Sequence, residues 1–400
     1  MSGDPTPTID ACAACLRRCW LVDHLAGWIE TAAARRAGSR VRELLALPDD
    51  DLARALCGGA RARQALDAES LGSTGDGRRR SIVAQAGQWA VCRCADAYPP
   101  ALRDAPDAPA VLLGVGAGGA DLLADAGTVV TVVGARRATA YGRGVARELG
   151  AELAAAGLVV ASGLALGIDG DVHRGVLEVE GGPPVAVLPG GADTPYPRRH
   201  HGLWDRIVRR GAAISERPPG AQPWRWSFPA RNRTMAGLAC ATVVVEAAHR
   251  SGSLITAEVA ADLGRTVGAV PGAVTSPLSA GANELLADGA LVVRGAADIL
   301  DLMLGPGAHQ ARGGPALDDQ QRPILAAIEA GHADADAIAQ AAGFEAGAAS
   351  RALTSLELAG YVRADGAGLL VRTGLDPPSS APDPADSLPP WPPPARSPSP

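Results

Sequence analysis

Two arginines, an asparagine and a Ser-Gly-Ser turn lie close together between residues 228 and 257, and this combination suits an anionic ligand. The stretch reads FPARNRTMAGLACATVVVEAAHRSGSLITA, with Arg231, Asn232 and Arg233 before a valine-rich run and Ser251, Gly252 and Ser253 after it. Guanidinium groups pair with phosphate oxygens through two parallel hydrogen bonds. A Gly/Ser turn at the start of a helix directs backbone N–H groups at the same kind of ligand. The stretch therefore predicts a phosphate-binding surface.

Glycine-containing loops also follow three other apolar runs of the sequence. Loops after parallel strands meet at one edge of a sheet, so we expect them to extend the same surface. The residues concerned are Gly134, Arg136, Ser162, Gly163 and Gly190. A single loop of this kind is better explained by a tight turn, in which glycine needs no ligand. Several such loops at one edge, with arginine among them, favour a binding site.

Phe228 lies beside the arginine-rich segment and is one of only two phenylalanines in the chain. An aromatic ring next to arginines can stack a nucleobase, which contributes about 1–3 kcal/mol per base. Packing into the core next to Pro229 is the alternative. Asn232 also has two interpretations: a contact to a phosphate or base edge, or a cap for the helix that follows it.

Asp169, His173 and Glu246 are candidate acids and bases in this region. Glu246 ends a very apolar run, where it could serve as a general base or accept hydrogen bonds that hold the phosphate loop. The second role is favoured, because no nucleophile, histidine pair or metal cluster accompanies it in the sequence. Asp169 and His173 would share one helix face, which favours a structural hydrogen bond between them. We expect structural support from all three residues and no catalytic residue.

Three cysteines near the start of the chain, Cys12, Cys15 and Cys19, form a C-x2-C-x3-C pattern. Thiolates at this spacing could bind zinc or an iron–sulfur cluster. Small buried cysteines on one face of a helix are the favoured interpretation, because no fourth ligand is evident nearby. The expectation is a chain without a bound metal or cofactor.

Two glycine patterns keep a nucleotide-binding enzyme open as an alternative. Gly114, Gly116 and Gly119 match the spacing of a dinucleotide fingerprint. In an NAD site the next strand ends in an acid that holds the ribose, but here the strand ends in an arginine. Because an arginine can hold the 2′-phosphate of NADP, an NADP site is the form of this alternative that remains open. Pro189-Gly190-Gly191 begins the P-G-G-x-G-T-x-x-E pattern of phosphoribohydrolases, which the following residues break. The alternative function is therefore that of a nucleotide-processing Rossmann hydrolase.

Short β-branched runs that alternate with Ala/Leu-rich helical patterns must position these loops. They predict strands within 128–133, 157–163, 184–190, 241–247 and 266–272, with 290–293 as a sixth. Continuous apolar strands separated by helices indicate an α/β fold with a doubly wound, mostly parallel sheet.

We expect five segments along the chain. They are an N-terminal helical (SAM-like) domain at 1–95, the α/β domain at 96–304, a Gly/Pro linker at 305–316, a winged helix at 317–373 and a disordered Pro/Ser tail at 374–400. Three short helical patterns and a hairpin indicate the winged helix. The tail lacks the apolar residues that a core would need.

Charge is distributed unevenly along the chain, whose net charge is −6. Nine arginines and two acids between residues 198 and 233 give a local charge of +7, which suggests an anionic partner there. The winged helix has eight acids and four arginines, a local charge of −4, and this favours a protein contact over duplex binding. Apolar runs stay far below the ~20 residues of a membrane span, and no leader pattern is evident, so we expect a cytoplasmic protein.

The motifs taken together resemble the DNA-processing protein A family, DprA or Smf. They are VVGARRATAYG (132–142), SGLALGIDGDVH (162–173), VLPGGADTPYP (187–197), ISE (214–216), FPARNRTMAGL (228–238), VVVEA (243–247), SGSLITA (251–257), GR (264–265), VPG (270–272) and GANELLADGA (281–290). The resemblance implies an extended Rossmann fold that binds single-stranded DNA as a homodimer. It also implies protection of incoming DNA in natural transformation and delivery of that DNA to a RecA-type recombinase, without enzymatic activity.

The resemblance further implies roles for individual residues. Arg136 stands at the arginine of the family's Gly-Ser-Arg motif, with Ala135 in place of the usual Ser or Thr, so a hydroxyl donor is missing. Arg225 stands where the family often has lysine, and Phe228 stands where the family contacts a base. Residues 231–233 match the family's R-N-R motif, and residues 251–253 match its phosphate-binding turn.

Overall fold

The structure is a computed structural model that describes residues 8–34, 37–69, 72–103, 105–125, 127–305, 315–364, 368–373 and 377. The chain divides into two compact units, Met1–His309 and Gln310–Pro400. The predicted Pro/Ser tail lies outside the described residues except for Pro377, and so does most of the predicted linker at 305–316. The other domain limits stay predictions.

Six helices form a layer at the N-terminal end of the first unit. They are α1 (Ala13–His24), α2 (Ala26–Ala33), α3 (Ala37–Ala46), α4 (Asp49–Cys57), α5 (Gly59–Glu69) and α6 (Gly72–Gln85). Apolar residues three and four positions apart give a helix one buried stripe. Leu21, Leu25 and Ile29 belong to such stripes and share a core with Trp226 and Ala230. The helical layer therefore packs directly against the segment that carries the arginine-rich motif.

Ten strands form one sheet. They are β1 (Ile9–Asp10), β2 (Trp89–Cys92), β3 (Val111–Gly116), β4 (Val129–Val133), β5 (Val159–Ser162), β6 (Pro184–Val187), β7 (Ala212–Ser215), β8 (Ala241–Val244), β9 (Thr266–Ala269) and β10 (Leu291–Val292). Their order in the sheet is β1-β2-β3-β7-β6-β5-β4-β8-β9-β10. All neighbours from β7 to β10 in this order are parallel, whereas β3 is antiparallel to both β2 and β7. The predicted mostly parallel sheet is confirmed.

All six runs predicted as strands lie in this sheet, as β4, β5, β6, β8, β9 and β10. The sequence does not predict β7, because its Ala-Ala-Ile-Ser run has a single β-branched residue. It also does not predict that β1, β2 and β3 extend the sheet beyond β7, since the antiparallel pairing of β3 with β2 and β7 joins distant segments and leaves no local periodic signal.

Helices cover both faces of the sheet. They are α7 (Pro100–Arg103), α8 (Ala140–Ala155), α9 (Ile168–Val176), α10 (His201–Arg210), α11 (Ser227–Leu238), α12 (Gly252–Asp262), α13 (Ala280–Ala287) and α14 (Ala296–Leu304), with short 3-10 helices at Ala120–Leu123 and Arg198–His200. In β4, Val129 and Val133 pack in one apolar cluster, and Val130 and Val132 pack in another. Burial on both faces explains the unbroken valine runs of the sequence.

The chain reverses its direction across the sheet between β4 and β8. From β4 it proceeds through β5, β6 and β7 on one side, and it returns to β8 on the other side of β4. Loops that leave the carboxyl ends of two such strands diverge and leave a crevice, where open α/β sheets bind their ligands.

The dinucleotide-like glycines Gly114 and Gly116 lie within β3 and not in a ligand-facing loop. A Cβ atom on Gly114 would lie 2.2 Å from the Trp89 ring, and Gly116 has a φ of +138°. After them comes the four-residue 3-10 helix Ala120–Leu123, which is too short to present a helix N-terminus to a pyrophosphate. These glycines therefore serve close packing, and the geometry does not support the NADP alternative.

The second unit contains α15 (Gln321–Glu329), α16 (Ala335–Ala342) and α17 (Ala346–Leu358), followed by the antiparallel strands β11 (Val362–Ala364) and β12 (Leu370–Arg372). Ile324, Ile338, Leu356 and Tyr361 form its core. These elements confirm the predicted winged helix, although the turn of the hairpin, 365–367, lies outside the described residues.

None of the helices in the described part of the chain has the length and the apolarity that a membrane crossing needs.

Candidate functional site

A cavity of about 440 Å³ lies at the carboxyl ends of β4 and β8, at the crevice that the strand order predicts. Nine of the residues expected to bind or support a ligand line it: Gly134, Arg136, Asp169, Phe228, Arg231, Asn232, Ser251, Gly252 and Ser253. They come from the loop after β4 and from α9, α11 and the start of α12. Residues from distant parts of the sequence thus meet because their strands end at one edge.

Arg136 and Phe228 form the mouth of this cavity. The Cζ atom of Arg136 lies 5.0 Å from the centroid of the Phe228 ring. The ring also makes an edge contact with Tyr196, at 5.6 Å between centroids. Arg136 is exposed and Phe228 is half-buried. A cation–π contact at such a site contributes about 0.5–1 kcal/mol, so it orients the guanidinium while its N–H groups stay open to a ligand.

Arg231 lies deeper and is only 5% exposed. Its Nη1 donates to the carbonyl oxygen of Val187 at 3.3 Å and lies 3.8 Å from Oδ2 of Asp169. Burial lowers the pKa of Arg231 to about 10, and the Asp169 carboxylate opposes this decrease. Burial raises the pKa of Asp169, and Arg231 opposes that increase. Arg231 therefore stays protonated at neutral pH, with the Asp169 carboxyl beside it.

The Ser-Gly-Ser turn caps α12 at the wall of the cavity. Ser251 is the N-cap residue, and its Oγ accepts a hydrogen bond from the backbone N–H of Ser253 at 3.4 Å. The two serine Oγ atoms are 2.8 Å apart. The first turn of an α-helix carries unpaired N–H groups and a partial positive charge, both of which favour an anion.

Asn232 holds this turn against α11. Its Nδ2 donates to the carbonyl oxygen of Gly252 at 3.0 Å, and the residue is 8% exposed. Of the two interpretations of Asn232, the helix cap is excluded, because α11 begins at Ser227 and places Asn232 in its middle. The contact that the structure gives Asn232 is a bridge between two helices at the base of the cavity.

Glu246 fixes the loop after β4. Its carboxylate accepts hydrogen bonds from the backbone N–H of Thr139 at 2.9 Å and from Thr139 Oγ1 at 2.6 Å. Its carbonyl oxygen accepts from the N–H of Ala135 at 2.7 Å. Thr139 is the N-cap of α8, so Glu246 supports the start of that helix and the loop that carries Arg136.

The cavity does not include Arg233. The guanidinium of Arg233 is 4% exposed, donates to the carbonyl oxygen of Asp107 and pairs with Glu216. Helical geometry explains the difference from Arg231: residues two positions apart point to different sides of α11. The expectation that Arg233 binds the ligand is therefore replaced by a structural ion pair.

Four further residues expected at the site also lie outside the cavity lining. Ser162 Oγ donates to the carbonyl oxygen of Val132 at 2.6 Å, and the Gly190 carbonyl accepts from Ser215 Oγ. Gly163 provides space for Arg231, since a Cβ atom there would lie 1.3 Å from Nη1 of Arg231. Arg225 is exposed, just before α11. Ser162, Gly190 and Gly163 are thus buried and engaged in contacts inside the protein. The sequence motifs alone do not reveal these contacts.

His173 does not form the expected bond with Asp169. It is fully buried in α9, and its ring nitrogens make no hydrogen bond to Asp169. Burial lowers the pKa of His173 to about 3. The imidazole is therefore neutral at physiological pH and packs in the interior.

The phosphoribohydrolase-like loop also lies away from the cavity. Gly190 and Gly191 are buried, and the Asp193 carboxylate accepts a hydrogen bond from the N–H of Gly220 at 2.9 Å. These contacts shape a turn, so the geometry does not favour the hydrolase alternative.

Two side chains at the site are not singled out by the sequence analysis. Arg137 lines the cavity next to Arg136, and Tyr196 contacts Phe228. Both residues lie within the motifs given above. Arg137 could have been identified from its position next to Arg136. Tyr196 lies in a loop about 30 residues before Phe228, so the neighbouring residues in the sequence do not indicate its contact with the ring.

Comparisons with known proteins relate the chain to a family. A family model described as DNA recombination-mediator protein A matches residues 89–304, and a DprA winged helix domain model matches residues 308–368. A relative from Mycobacterium tuberculosis (strain H37Rv) that bears the DprA name is 41% identical over 305 residues, 74% of this chain and 78% of its own. Protein Smf of Escherichia coli (strain K12) is 37% identical over 278 residues, 67% of this chain and 73% of its own.

A solved structure is similar as well. The X-ray structure of DNA processing protein A from Streptococcus pneumoniae matches with a TM-score of 0.55 and 30% identity. The match covers 73% of this chain and 98% of that chain.

Proposed function

The chain belongs to the DNA recombination-mediator protein A family, and from this premise we propose that it binds single-stranded DNA in the cavity at the ends of β4 and β8. The observation that carries the proposal is the convergence of Arg136, Phe228 and the Ser251–Ser253 turn on one cavity. Phosphates suit the arginine and the partial positive charge at the N-terminus of α12, and an unstacked base suits the ring. Single-stranded nucleic acid offers both groups at every step.

The dimensions of the cavity favour a single strand over a duplex. A volume of about 440 Å³ is in the range of small-ligand pockets and can hold part of a strand but no duplex. Bases in a duplex are paired and stacked, so they cannot reach the Phe228 ring without being extruded. Trp224, which is 41% exposed, and the exposed Arg225 offer contacts to a strand that continues beyond the cavity. These contacts favour a polymer over a mononucleotide.

The proposed activity is binding without chemical turnover. Glu246 and Asp169, the two candidate acids, are engaged by Thr139 and Arg231 respectively. His173 is buried away from solvent and neutral. The contacts of Glu246 and Asp169 and the burial of His173 favour residues that shape a site without acting on a ligand.

The proposal extends to the steps after DNA binding. The protein acts as a homodimer in the cytoplasm, protects incoming DNA during natural transformation and delivers the strand to a RecA-type recombinase. The family's description as a recombination mediator supports the delivery step. The winged helix, with its local charge of −4, is suited to a protein contact and poorly suited to a DNA duplex.

The experiment that tests DNA binding is a fluorescence titration of the full chain with oligo-dT and with a duplex of equal length, each at two salt concentrations. We expect tighter binding of oligo-dT and a log–log salt slope of about −0.7 per phosphate contacted. Equal affinity for duplex and single strand, or affinity independent of salt, contradicts the proposal. A parallel incubation with nucleoside monophosphates, assayed for released base, tests the hydrolase alternative.

A further inference from the structure

Four cysteine sulfurs meet at the junction between the N-terminal helices and the sheet. The Sγ atoms of Cys12, Cys15, Cys92 and Cys94 all lie within 4.8 Å of one another. Two of these residues begin α1, one ends β2, and the fourth stands in the turn after β2. This four-cysteine cluster shares no residue with the proposed DNA-binding cavity.

The cluster corrects the sequence-based interpretation of the cysteines. That interpretation groups Cys19 with Cys12 and Cys15 and finds no fourth ligand. The structure separates Cys19, whose buried thiol donates to the carbonyl oxygen of Glu216 at 3.3 Å. Cys92, which is 80 positions from Cys12 in the sequence, takes the place of Cys19 in the cluster. The missing ligands come from tertiary structure, so local spacing cannot identify them.

The distances between the sulfurs fit a mononuclear metal centre. A tetrahedral zinc ion with Zn–S bonds of about 2.3 Å places its four sulfurs about 3.8 Å from one another. Here the Sγ atoms of Cys15 and Cys94 are 3.7 Å apart. A polynuclear iron–sulfur cluster needs a wider arrangement, because bridging irons and sulfides lie between the cysteines. All four residues are free cysteines, as ligands must be.

The surroundings of the four-cysteine cluster are suited to thiolates. Cys12 is the N-cap of α1 and Cys15 lies in its first turn, where the partial positive charge of the helix favours an anion. The backbone N–H of Cys12 donates to Cys92 Sγ at 3.3 Å. Arg17 and Arg93 line the surface pocket that also contains Cys15 and Cys94. These groups can offset the net charge of −2 that a zinc tetrathiolate carries.

We propose that Cys12, Cys15, Cys92 and Cys94 bind one Zn²⁺ ion as a closed, structural tetrathiolate site that joins α1 to β2. Four protein ligands complete the tetrahedron and leave no position for water or substrate, which is the arrangement of structural zinc sites. The ion adds metal–ligand bonds between α1 and β2 to the two residue pairs of β1 with β2 and to the apolar cluster that α1 and β2 share. Zinc binding therefore stabilises the attachment of the N-terminal helices to the sheet.

The test begins with the metal content of the full-length protein, purified with a reducing agent and without a chelator. Plasma mass spectrometry is expected to find about one zinc and almost no iron per chain. In Cys12→Ser and Cys94→Ser, zinc is expected to fall below about a tenth of the wild-type value. Cys57→Ser and Cys240→Ser are matched controls, because their thiols lie outside the cluster and donate hydrogen bonds to the carbonyl oxygens of Ala53 and Val129. Both controls are expected to keep the full zinc content.

A second measurement keeps the proposal falsifiable if the serine variants fail to fold. Wild-type protein in which Co²⁺ replaces zinc is expected to show the intense sulfur-to-cobalt absorption of a tetrahedral tetrathiolate. Titration with a mercurial is expected to release the metal in proportion to the thiols modified. Folded wild-type protein that binds no zinc on reconstitution overturns the proposal, as do iron as the dominant metal and full zinc retention in both cluster variants.

Discussion

The guanidinium of Arg136 stacks on the ring of Phe228, with 5.0 Å between its Cζ atom and the ring centroid. The pair joins the loop after β4 to α11, two elements that have the three strands β5, β6 and β7 between them in the sequence. A base that stacks on Phe228 must share the ring with Arg136 and with Tyr196, which touches it from another side. The aromatic and electrostatic contributions to binding therefore come from adjacent groups, and mutations can separate them.

Replacing Arg136 with alanine removes an exposed cation from the mouth of the cavity. We expect affinity for oligo-dT to fall about 10- to 100-fold, because charge-assisted hydrogen bonds contribute about 1.5–3 kcal/mol. The salt slope should become shallower by about 0.7, the contribution of one phosphate. Fluorescence titrations at several salt concentrations measure both quantities.

Arg294→Ala is the matched control for Arg136→Ala, since its side chain is 78% exposed beyond β10, away from the cavity lining. An unchanged slope in Arg136→Ala, or an equal change in the control, would contradict the role assigned to Arg136.

Replacing Phe228 with leucine should weaken binding by about 1–3 kcal/mol, the contribution of one stacked base. The salt slope should stay the same, because no charge is lost. Phe228→Trp should retain most of the affinity, and Phe344→Leu, which changes the other phenylalanine in the winged-helix core, should have no effect on it. Loss of slope in Phe228→Leu would indicate that the ring acts mainly by positioning Arg136.

Arg233→Ala should destabilise the protein instead of changing its contacts with DNA. Burial raises the pKa of Glu216, and Arg233 opposes that increase, so removal of the arginine leaves a largely buried carboxylate unpaired. The expected loss is about 3 kcal/mol in the free energy of unfolding, measured with urea. Adding Glu216→Gln to the variant should recover part of this loss. A shallower salt slope at full stability would return Arg233 to the binding surface.

His173 should make stability decrease in mild acid. Its folded-state pKa of about 3 lies below the ordinary value of 6.5. Above pH 6.5 the imidazole is neutral in both states, whereas below it the unfolded chain takes up a proton that the folded protein does not. Stability should therefore fall as pH falls from 6.5 toward 3, with a contribution of up to about 1.4 kcal/mol per pH unit.

Urea unfolding between pH 5 and pH 7 measures the contribution of His173. His173→Leu should lower this dependence on pH, whatever its effect on stability at neutral pH. Parallel curves for wild type and His173→Leu would show that the imidazole titrates normally.

Removal of the winged helix should leave single-strand binding intact. A chain that ends after Leu304 is expected to bind oligo-dT within about twofold of the full chain, because the deleted segment is acidic and adds no phosphate contacts. Duplex binding should be weak in both proteins. A tenfold or greater loss of affinity on truncation, by the same titration, would assign DNA contacts to the winged helix.

The parts of the fold that the sequence predicts are those with local signals. Valine runs predict β4 and β8, and the rule that parallel strands end at one edge then predicts that Arg136 and Ser251 meet. β7 is missed because Ala212 and Ala213 carry no β-branched signal. Local pattern therefore predicts the sheet and the position of the cavity, but not every strand.

The parts of the site that the sequence does not predict depend on long-range packing. Arg231 and Arg233 are equivalent in the motif, yet one faces the cavity and the other is neutralised by Glu216. Cys92 joins Cys12 only because β2 packs beside α1. The tertiary neighbours of each side chain decide which arginine lines the cavity and which thiols meet.

The hydrogen bond from Asn232 to Gly252 has a consequence for kinetics. It shapes the turn at the start of α12 before any ligand arrives, so encounter with a strand requires little ordering of the loop. Under these conditions the association rate is governed by diffusion and by the field of the exposed arginines, and it declines as ionic strength rises. Variants should therefore differ mainly in the dissociation rate, which depends on how many contacts to phosphates and bases must break when the strand leaves.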